Sequence, residues 1–414
     1  MILDVYYISG GDIMISKFSF QNYKSYRDET AFDFQAAKMI EFDDTLIKRE
    51  NASSLLPVSV IYGPNGGGKS NLLMALISLI SIVVKPIAQL EKNRTSVFQQ
   101  HTKIRPFAFD KTSKDEPTVF DLFFRTEQKE FRYYLSIKDD EIIDECLYWR
   151  AYTGKKTATV FEREGRKIEL GSSIRSKSIN TEINPKMPYL SFLAINYDIP
   201  VIADAQKWFE SCIIKNYANW SSESSIYIQE DDYWKSNIIT CLNDMDIDIS
   251  DYRFDDEVKQ FFLQRDVDGQ KFELNFEEES AGTKKLFSMI PFVLLALQQG
   301  RLVIVDELDA KLHPKLLRYT ISLFKNPQIN KNGAQLLFTS HDLTTMNNKV
   351  FRRDEIWFAA LNRSRISEIY SLYDFRTEND NHINSTASFS KQYMEGRYGA
   401  DPYLRNILHW EERL

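Results

Sequence analysis

One short stretch constrains this chain more than any other: GPNGGGKS, Gly63 to Ser70, fits G-x-x-x-x-G-K-[ST]. Glycines allow backbone N–H groups to curve inward around phosphate oxygens, because residues without a Cβ tolerate that curvature. The flanks suit the motif. VSVIYG before it, Val58 to Gly63, is a β-branched run fit for a buried strand, and NLLMALISLISIVV after it, Asn71 to Val84, is an apolar run fit for a buried helix. Strand, glycine loop and helix together aim a helix N-terminus at an anion. Gly63, Asn65, Gly66, Gly68, Lys69, Ser70 and Asn71 are therefore the candidate phosphate-binding residues, with Lys69 reaching the β- and γ-phosphates and Ser70 offering its hydroxyl to Mg²⁺. The apolar run between Asn71 and Lys85 is shorter than the roughly 18 to 20 residues of a membrane span, so a core helix is expected.

Far along the chain, LVIVDELDAKLHP runs from Leu302 to Pro314. Its four apolar residues predict a buried strand that leaves Asp306 and Glu307 at the carboxyl end, where open α/β sheets bind ligands. Asp306 is placed to hold Mg²⁺, and Glu307 to polarise an attacking water, since phosphoryl transfer needs orientation and charge stabilisation more than covalent chemistry. Ahead of this strand lies EESAGTKKL, Glu278 to Leu286, and after it a predicted strand ends in FTSHD with His341. Taken alone, SAGTKK reads as an N-cap opening a helix. The order phosphate loop, S-x-G-x-K, acidic strand end and strand ending in His resembles the core of ABC-type ATPases. That resemblance implies a signature motif at Ser280, Gly282 and Lys284, a D-loop at Asp309 and a switch histidine at His341. Lys69, Glu307 and His341 become the candidate catalytic set, and ATP with Mg²⁺ the implied substrate and cofactor. The signature departs from the transporter form LSGGQ, and no glutamine-loop residue is assigned, because Gln99 and Gln100 precede the β meander and MPYLSFLAIN contains none. In ABC-type ATPases the signature helix faces phosphates held by a partner, so the resemblance also implies a homodimer closed around ATP.

Composition excludes some functions. A net charge of -7 argues against a broadly basic, nucleic-acid-coating surface. Three scattered cysteines, Cys146, Cys212 and Cys241, lack metal-site spacing and indicate no disulfide framework, which makes a reducing cytoplasm the simplest setting. No secretory signal is expected. NDMDIDISD, Asn243 to Asp251, reads as a polar-out strand rather than a metal site.

The expected fold class is α/β: an ABC-type ATPase core, a mostly parallel sheet with flanking helices plus an antiparallel β-subdomain, with an inserted mainly helical lid. Alternation predicts two strands between Ile15 and Phe34 and a meander over Thr118 to Trp149. A hairpin and loop follow over Gly154 to Lys186, then helices over Val201 to Leu242, and a hairpin turning at Asp268-Gly269. The boundaries drawn are 14–150 for the first part of the core, 151–255 for hairpin and lid, and 256–414 for the second part.

MISKFSFQNYKSY, the glycine loop, DELDAKLHP and QYMEGRYGADPYL together resemble the AAA-type family 15 ATPases, relatives of RecF and the OLD proteins. The resemblance implies an ATP-dependent homo-oligomer of bacterial abortive-infection and antiphage systems. It would be a sensor or regulator beside a separate effector released by a phage-encoded trigger; in the PARIS system that effector is a TOPRIM-type nuclease. With about 70 residues after His341 in this sequence and no Glu plus DxD set among them, the effector is expected to be another polypeptide. Two alternatives stand: a RecF- or SMC-like DNA-repair ATPase, and a transporter-coupled ATPase, which the divergent signature disfavours.

Overall fold

Val58–Tyr62 is buried along its whole length because it lies inside a parallel sheet covered on both faces. The computed structural model describes residues 13–90, 103–126, 129–175, 178–216, 232–376, 383–384 and 387–400. In chain order the elements are β1 (Ile13–Gln21), β2 (Thr30–Asp33), β3 (Val58–Tyr62), α1 (Lys69–Leu90), β4 (Thr118–Thr126), β5 (Lys129–Lys138), β6 (Glu141–Ala151), β7 (Ala158–Glu164) and β8 (Lys167–Leu170). They continue with α2 (Tyr189–Asn196), α3 (Pro200–Ser211), β9 (Ile213–Asn216), α4 (Asp232–Asp244), β10 (Asp251–Asp255), β11 (Gln260–Val267), β12 (Gln270–Asn275) and α5 (Ala281–Gln299). The last are β13 (Leu302–Asp306), α6 (Pro314–Lys325), β14 (Gln335–Thr339), β15 (Ile356–Leu361), β16 (Ser367–Ser371) and α7 (Phe389–Met394).

Two large sheets result, and the expected α/β class is the class observed. The six-stranded sheet has the order β16-β15-β3-β14-β13-β9, parallel throughout except for the antiparallel edge strand β16. The seven-stranded sheet, β2-β1-β4-β5-β6-β7-β8, is antiparallel. Strand period divides the parallel sheet between two cores. Ile61, Leu302, Ile304 and Leu337 face α1 and the antiparallel sheet, while Val60, Val303, Val305 and Phe338 face the side of α5 and α6.

The two sheets are tied by a polar contact as well as by α1. The β1–β4 register shifts between Ile15 and Lys17, leaving Ser16 without a partner on β4. Gln335, buried on β14, accepts from the Ile15 N–H at 2.7 Å and donates to the carbonyls of Ile15 at 3.2 Å and Leu56 at 3.0 Å. A buried amide with its donor and acceptor both engaged fixes one relative placement of two sheets that apolar contact alone would let slide.

Three sequence expectations need correction. First, α1 has 22 residues and continues through Pro86, so by length and composition it is apolar enough to cross a membrane. Its burial identifies it as a core helix: 67% of its most apolar window is inside the fold, against β13, β14, α2 and α3. Second, the hairpin and helices drawn over 151–255 are present as β7–β8 and α2 to α4, but they pack onto the core. β7 and β8 extend the antiparallel sheet, α2 and α3 pack on α1 with Trp208 against Phe124, and β9 joins the parallel sheet beside β13. Only local pattern is visible in a sequence, whereas a four-residue edge strand such as β9 is defined by its neighbour. Third, Asn243 to Asp251 is not a strand: α4 ends at Asp244, Asp246 has φ 62°, and the Asn243 side chain closes the turn on both the N–H and the carbonyl of Ile249. Trp220, Gln99 and Gln100 lie outside the described residues. The Asp268-Gly269 hairpin forms as expected, with φ 52° and 77°.

Candidate nucleotide-binding site

β3, β14 and β13 lie side by side and parallel, so Gly63, Ser340 and Glu307 emerge at one edge of the sheet. This brings two motifs that are distant in sequence to the same end of the sheet, one strand apart with β14 between them, at the carboxyl edge where such sheets bind ligands. The phosphate loop is shaped by its surroundings. A Cβ on Gly63 would lie 2.1 Å from the Ala359 carbonyl oxygen, and one on Gly67 would lie 2.6 Å from the same atom. The loop therefore packs directly on the backbone of β15, a constraint at Gly67 that the motif pattern leaves open. Tyr26 donates to the Gly68 carbonyl at 3.3 Å, and Asn71 donates to Ser25 Oγ at 2.9 Å. Asn71 is thereby a brace between α1 and the β1–β2 loop. Asn65, Gly66 and Ser70 are exposed on the open side of the loop.

Lys69 is buried, and its ammonium donates to the carbonyls of Gly63 at 2.7 Å and Pro64 at 3.1 Å. Burial pulls its pKa below the ordinary lysine value, while Asp306, Glu307 and Asp309 pull it back up. All three acids are thus close enough to act on Lys69 electrostatically.

The acidic strand end is organised by a residue that motif reading passed over. Thr339, fully buried at the end of β14, donates from Oγ1 to Asp306 Oδ1 at 2.5 Å and accepts from the Glu307 N–H at 2.8 Å. Glu307 has φ 54°, a left-handed backbone that sets its exposed side chain apart from Asp306. Asp309 then reaches across to the next strand, where its Oδ2 accepts from the His341 N–H at 3.0 Å. Asp309 and His341, read separately from sequence, are thus joined by a hydrogen bond. Tyr62 at the end of β3 bonds to Thr345 at 3.2 Å, which ties the strand of the phosphate loop to the segment after His341.

Ser280 is the N-cap of α5, its Oγ accepting from the Thr283 N–H at 3.1 Å. Lys284 is held within the chain by the carbonyl and Oε2 of Glu277, at 2.5 and 3.1 Å. A Cβ on Gly282 would sit 3.5 Å from the Lys311 carbonyl, an ordinary contact. Lys285, next to the lysine singled out from sequence, is the fully buried one. It donates to the carbonyls of Leu308 and Ala310, each at 2.6 Å, and Glu307 at 3.3 Å. The readable signal was phase: Lys284 falls on the outward stripe of α5 with Gln298, and Lys285 does not.

The residues fit a nucleoside triphosphate and a divalent ion. A glycine loop at a helix N-terminus with a buried lysine suits phosphates, and a serine hydroxyl with a carboxylate at the same end of the sheet suits Mg²⁺. Fold and site together define a phosphate-loop α/β protein with an acidic second strand.

The chain belongs to the family described as "AAA domain, putative AbiEii toxin, Type IV TA system", whose profile matches residues 58–347, from β3 through the segment that follows β14. A search of curated proteins finds no match. Among solved structures the chain is similar to the SMC head domain from Thermotoga maritima, at 14% identity and a TM-score of 0.41, over 86% of this chain and 98% of that one. It is also similar to an Smc head domain with an extended coiled coil bound to the C-terminal domain of ScpA derived from Pyrococcus furiosus, at 12% identity and a TM-score of 0.40, over 86% and 96%.

Proposed function

We propose that this protein binds and hydrolyses ATP in an ABC-type composite site, and that its nucleotide state holds or releases a separate toxic effector in an antiphage, abortive-infection system. The observation that carries the hydrolytic part is the convergence of Lys69, Asp306, Glu307, Asp309 and His341 at the ends of three adjacent parallel strands. In this reading the loop from Gly63 to Ser70 cradles the phosphates, Lys69 exchanges its own loop carbonyls for phosphate oxygens, and Ser70 with Asp306 holds Mg²⁺. When bound, the ion neutralises charge on the phosphates. Glu307 orients the attacking water, and His341, held by its backbone to Asp309, stands beside the γ-phosphate.

The dimeric part rests on α5. Ser280 is exposed at a helix N-terminus and Gly282 has no close neighbour demanding a glycine within its own chain, so both suit phosphates held by a second copy. The description of the family names a toxin and a type IV toxin–antitoxin system, which supports the defence reading. A TOPRIM-type nuclease, as in PARIS, is the effector class proposed, with a phage product as trigger.

The test is Glu307→Gln. The variant is expected to bind ATP, hydrolyse it slowly and accumulate as a nucleotide-bound dimer in size-exclusion light scattering. Wild-type turnover in that variant refutes the assignment of Glu307. Copurification of tagged wild-type and Glu307→Gln protein tests the effector: a nucleotide-dependent protein partner supports it, and DNA-stimulated hydrolysis with no protein partner favours the repair alternative.

A further inference from the structure

Lys285 stands out as a fully buried lysine whose ammonium is bonded to backbone carbonyls. Its Nζ sits under the turn that follows β13, donating to the carbonyls of Glu307, Leu308 and Ala310. That turn is strained at both ends, since Glu307 and Lys311 are non-glycine residues at φ 54° and 62°. It is closed by the bonds from the Leu308 N–H to the Thr339 carbonyl at 3.2 Å and from the Ala310 N–H to the Glu307 carbonyl at 3.1 Å. Carbonyls gathered on one side of so short a turn repel one another unless a cation or donor lies between them. Burial pushes the Lys285 pKa down to about 8, with Asp309 and Glu307 opposing that shift and Lys311 adding to it. A side chain this costly to bury would be replaced by methionine if filling space were its whole task.

We infer that Lys285 is a positioning residue: it holds the turn from Glu307 to Ala310 in the conformation that aims the Glu307 carboxylate and the Asp309 bond to His341. It also links the two halves of the composite site. α5 carries Ser280 and Gly282 at its N-terminus and Lys285 one turn later, so a shift of α5 on meeting the phosphates held by a second copy is passed directly to Glu307 in the same chain. The inference rests on the ATPase reading above for its catalytic consequence, but the mechanical link does not.

Two variants and two readouts decide it. Lys285→Met keeps an unbranched side chain one atom shorter and removes the donor; Lys285→Arg restores donors to the same carbonyls. In Lys285→Met, kcat for ATP is expected to fall at least about tenfold, with KM and fluorescent-nucleotide affinity changed less than about threefold, and Lys285→Arg to recover part of the loss. Backbone amide exchange across residues 306–312 is expected to quicken at least about tenfold in Lys285→Met, with α1 unchanged. Unchanged exchange together with kcat within about twofold of wild type overturns the inference. If Glu307→Gln leaves turnover unchanged, the hydrolytic reading fails on its own, and the exchange measurement still settles whether Lys285 holds the turn. If Lys285→Met does not fold, Lys285→Gln carries the test, since its shorter amide keeps a donor but cannot reach all three carbonyls: quickened exchange across residues 306–312 with lowered kcat supports the role, and wild-type exchange with wild-type kcat refutes it.

Discussion

Replacing Thr339 by valine should damage the acidic strand end while leaving its shape intact. Valine is close to threonine in volume, so the fully buried site opposite Ile61 stays filled, and what is lost is one hydroxyl. That hydroxyl donates to the Asp306 carboxylate at 2.5 Å and accepts from the Glu307 N–H at 2.8 Å. A hydrogen bond to a charged group contributes about 1.5–3 kcal/mol, and an orphaned buried N–H costs about 1–3 kcal/mol. Asp306 is half-buried and Glu307 exposed, so water replaces part of both losses, and the net destabilisation is expected near the low end, about 2 kcal/mol. The assay is urea unfolding with an unchanged slope, compared with Thr339→Ser, which keeps the hydroxyl and should lose less than about 1 kcal/mol. Turnover of ATP should fall about tenfold in the valine variant, because Asp306 and Glu307 are no longer held in register across two strands. Valine and serine variants that are equally stable and equally active would refute the claim that this hydroxyl organises the site.

Further outcomes follow from other contacts. Lys69→Ala should weaken nucleotide affinity by about 100-fold, about 3 kcal/mol, in equilibrium binding, since a buried ammonium with two oxygen partners is removed; unchanged affinity would remove the loop as the phosphate site. Ser280→Arg should leave a monomer that binds nucleotide yet forms no nucleotide-dependent dimer, and full turnover in that variant would end the composite-site reading. Arg163→Met should destabilise the β-subdomain by about 3–5 kcal/mol, because Glu145, buried under Tyr133 and the N–H groups of Tyr189 and Leu190, loses its cation at 3.5 Å. Burial already raises the Glu145 carboxyl above its ordinary value, with those hydrogen bonds and Arg163 opposing the rise. A raised folded-state pKa means that the folded form binds more protons above about pH 4.5, so stability declines as pH rises through that window. Removing Arg163 deepens this, so the part of the loss due to Glu145 should shrink from pH 7 to pH 5, while the part from the carbonyls of Gly165, Pro185 and Met187 that Arg163 also binds should not; a wholly pH-independent loss would refute the Glu145 contribution.

Local pattern in the sequence was enough to place the phosphate loop between strand and helix, the Asp268-Gly269 hairpin, the acidic strand LVIVD and the cap at Ser280. Each depends on interactions within a few residues: backbone curvature that glycine tolerates, positive φ at a tight turn, and a continuous apolar run at a buried strand. Other features came from contacts between distant segments. β9 is a strand because β13 lies beside it, and residues 158–170 extend an antiparallel sheet that their polar composition does not advertise. Thr339 became part of the acidic site because β14 inserts between β3 and β13, and Lys285 became its brace because α5 packs with that side chain under the turn after Asp306. The sequence by itself determined which residues can curve around a phosphate and which can carry charge at a strand end. Tertiary structure alone decided which buried hydroxyl and which buried ammonium hold those charges in place, because burial and hydrogen-bond partners are properties of neighbours from other elements, in no pattern a single segment displays.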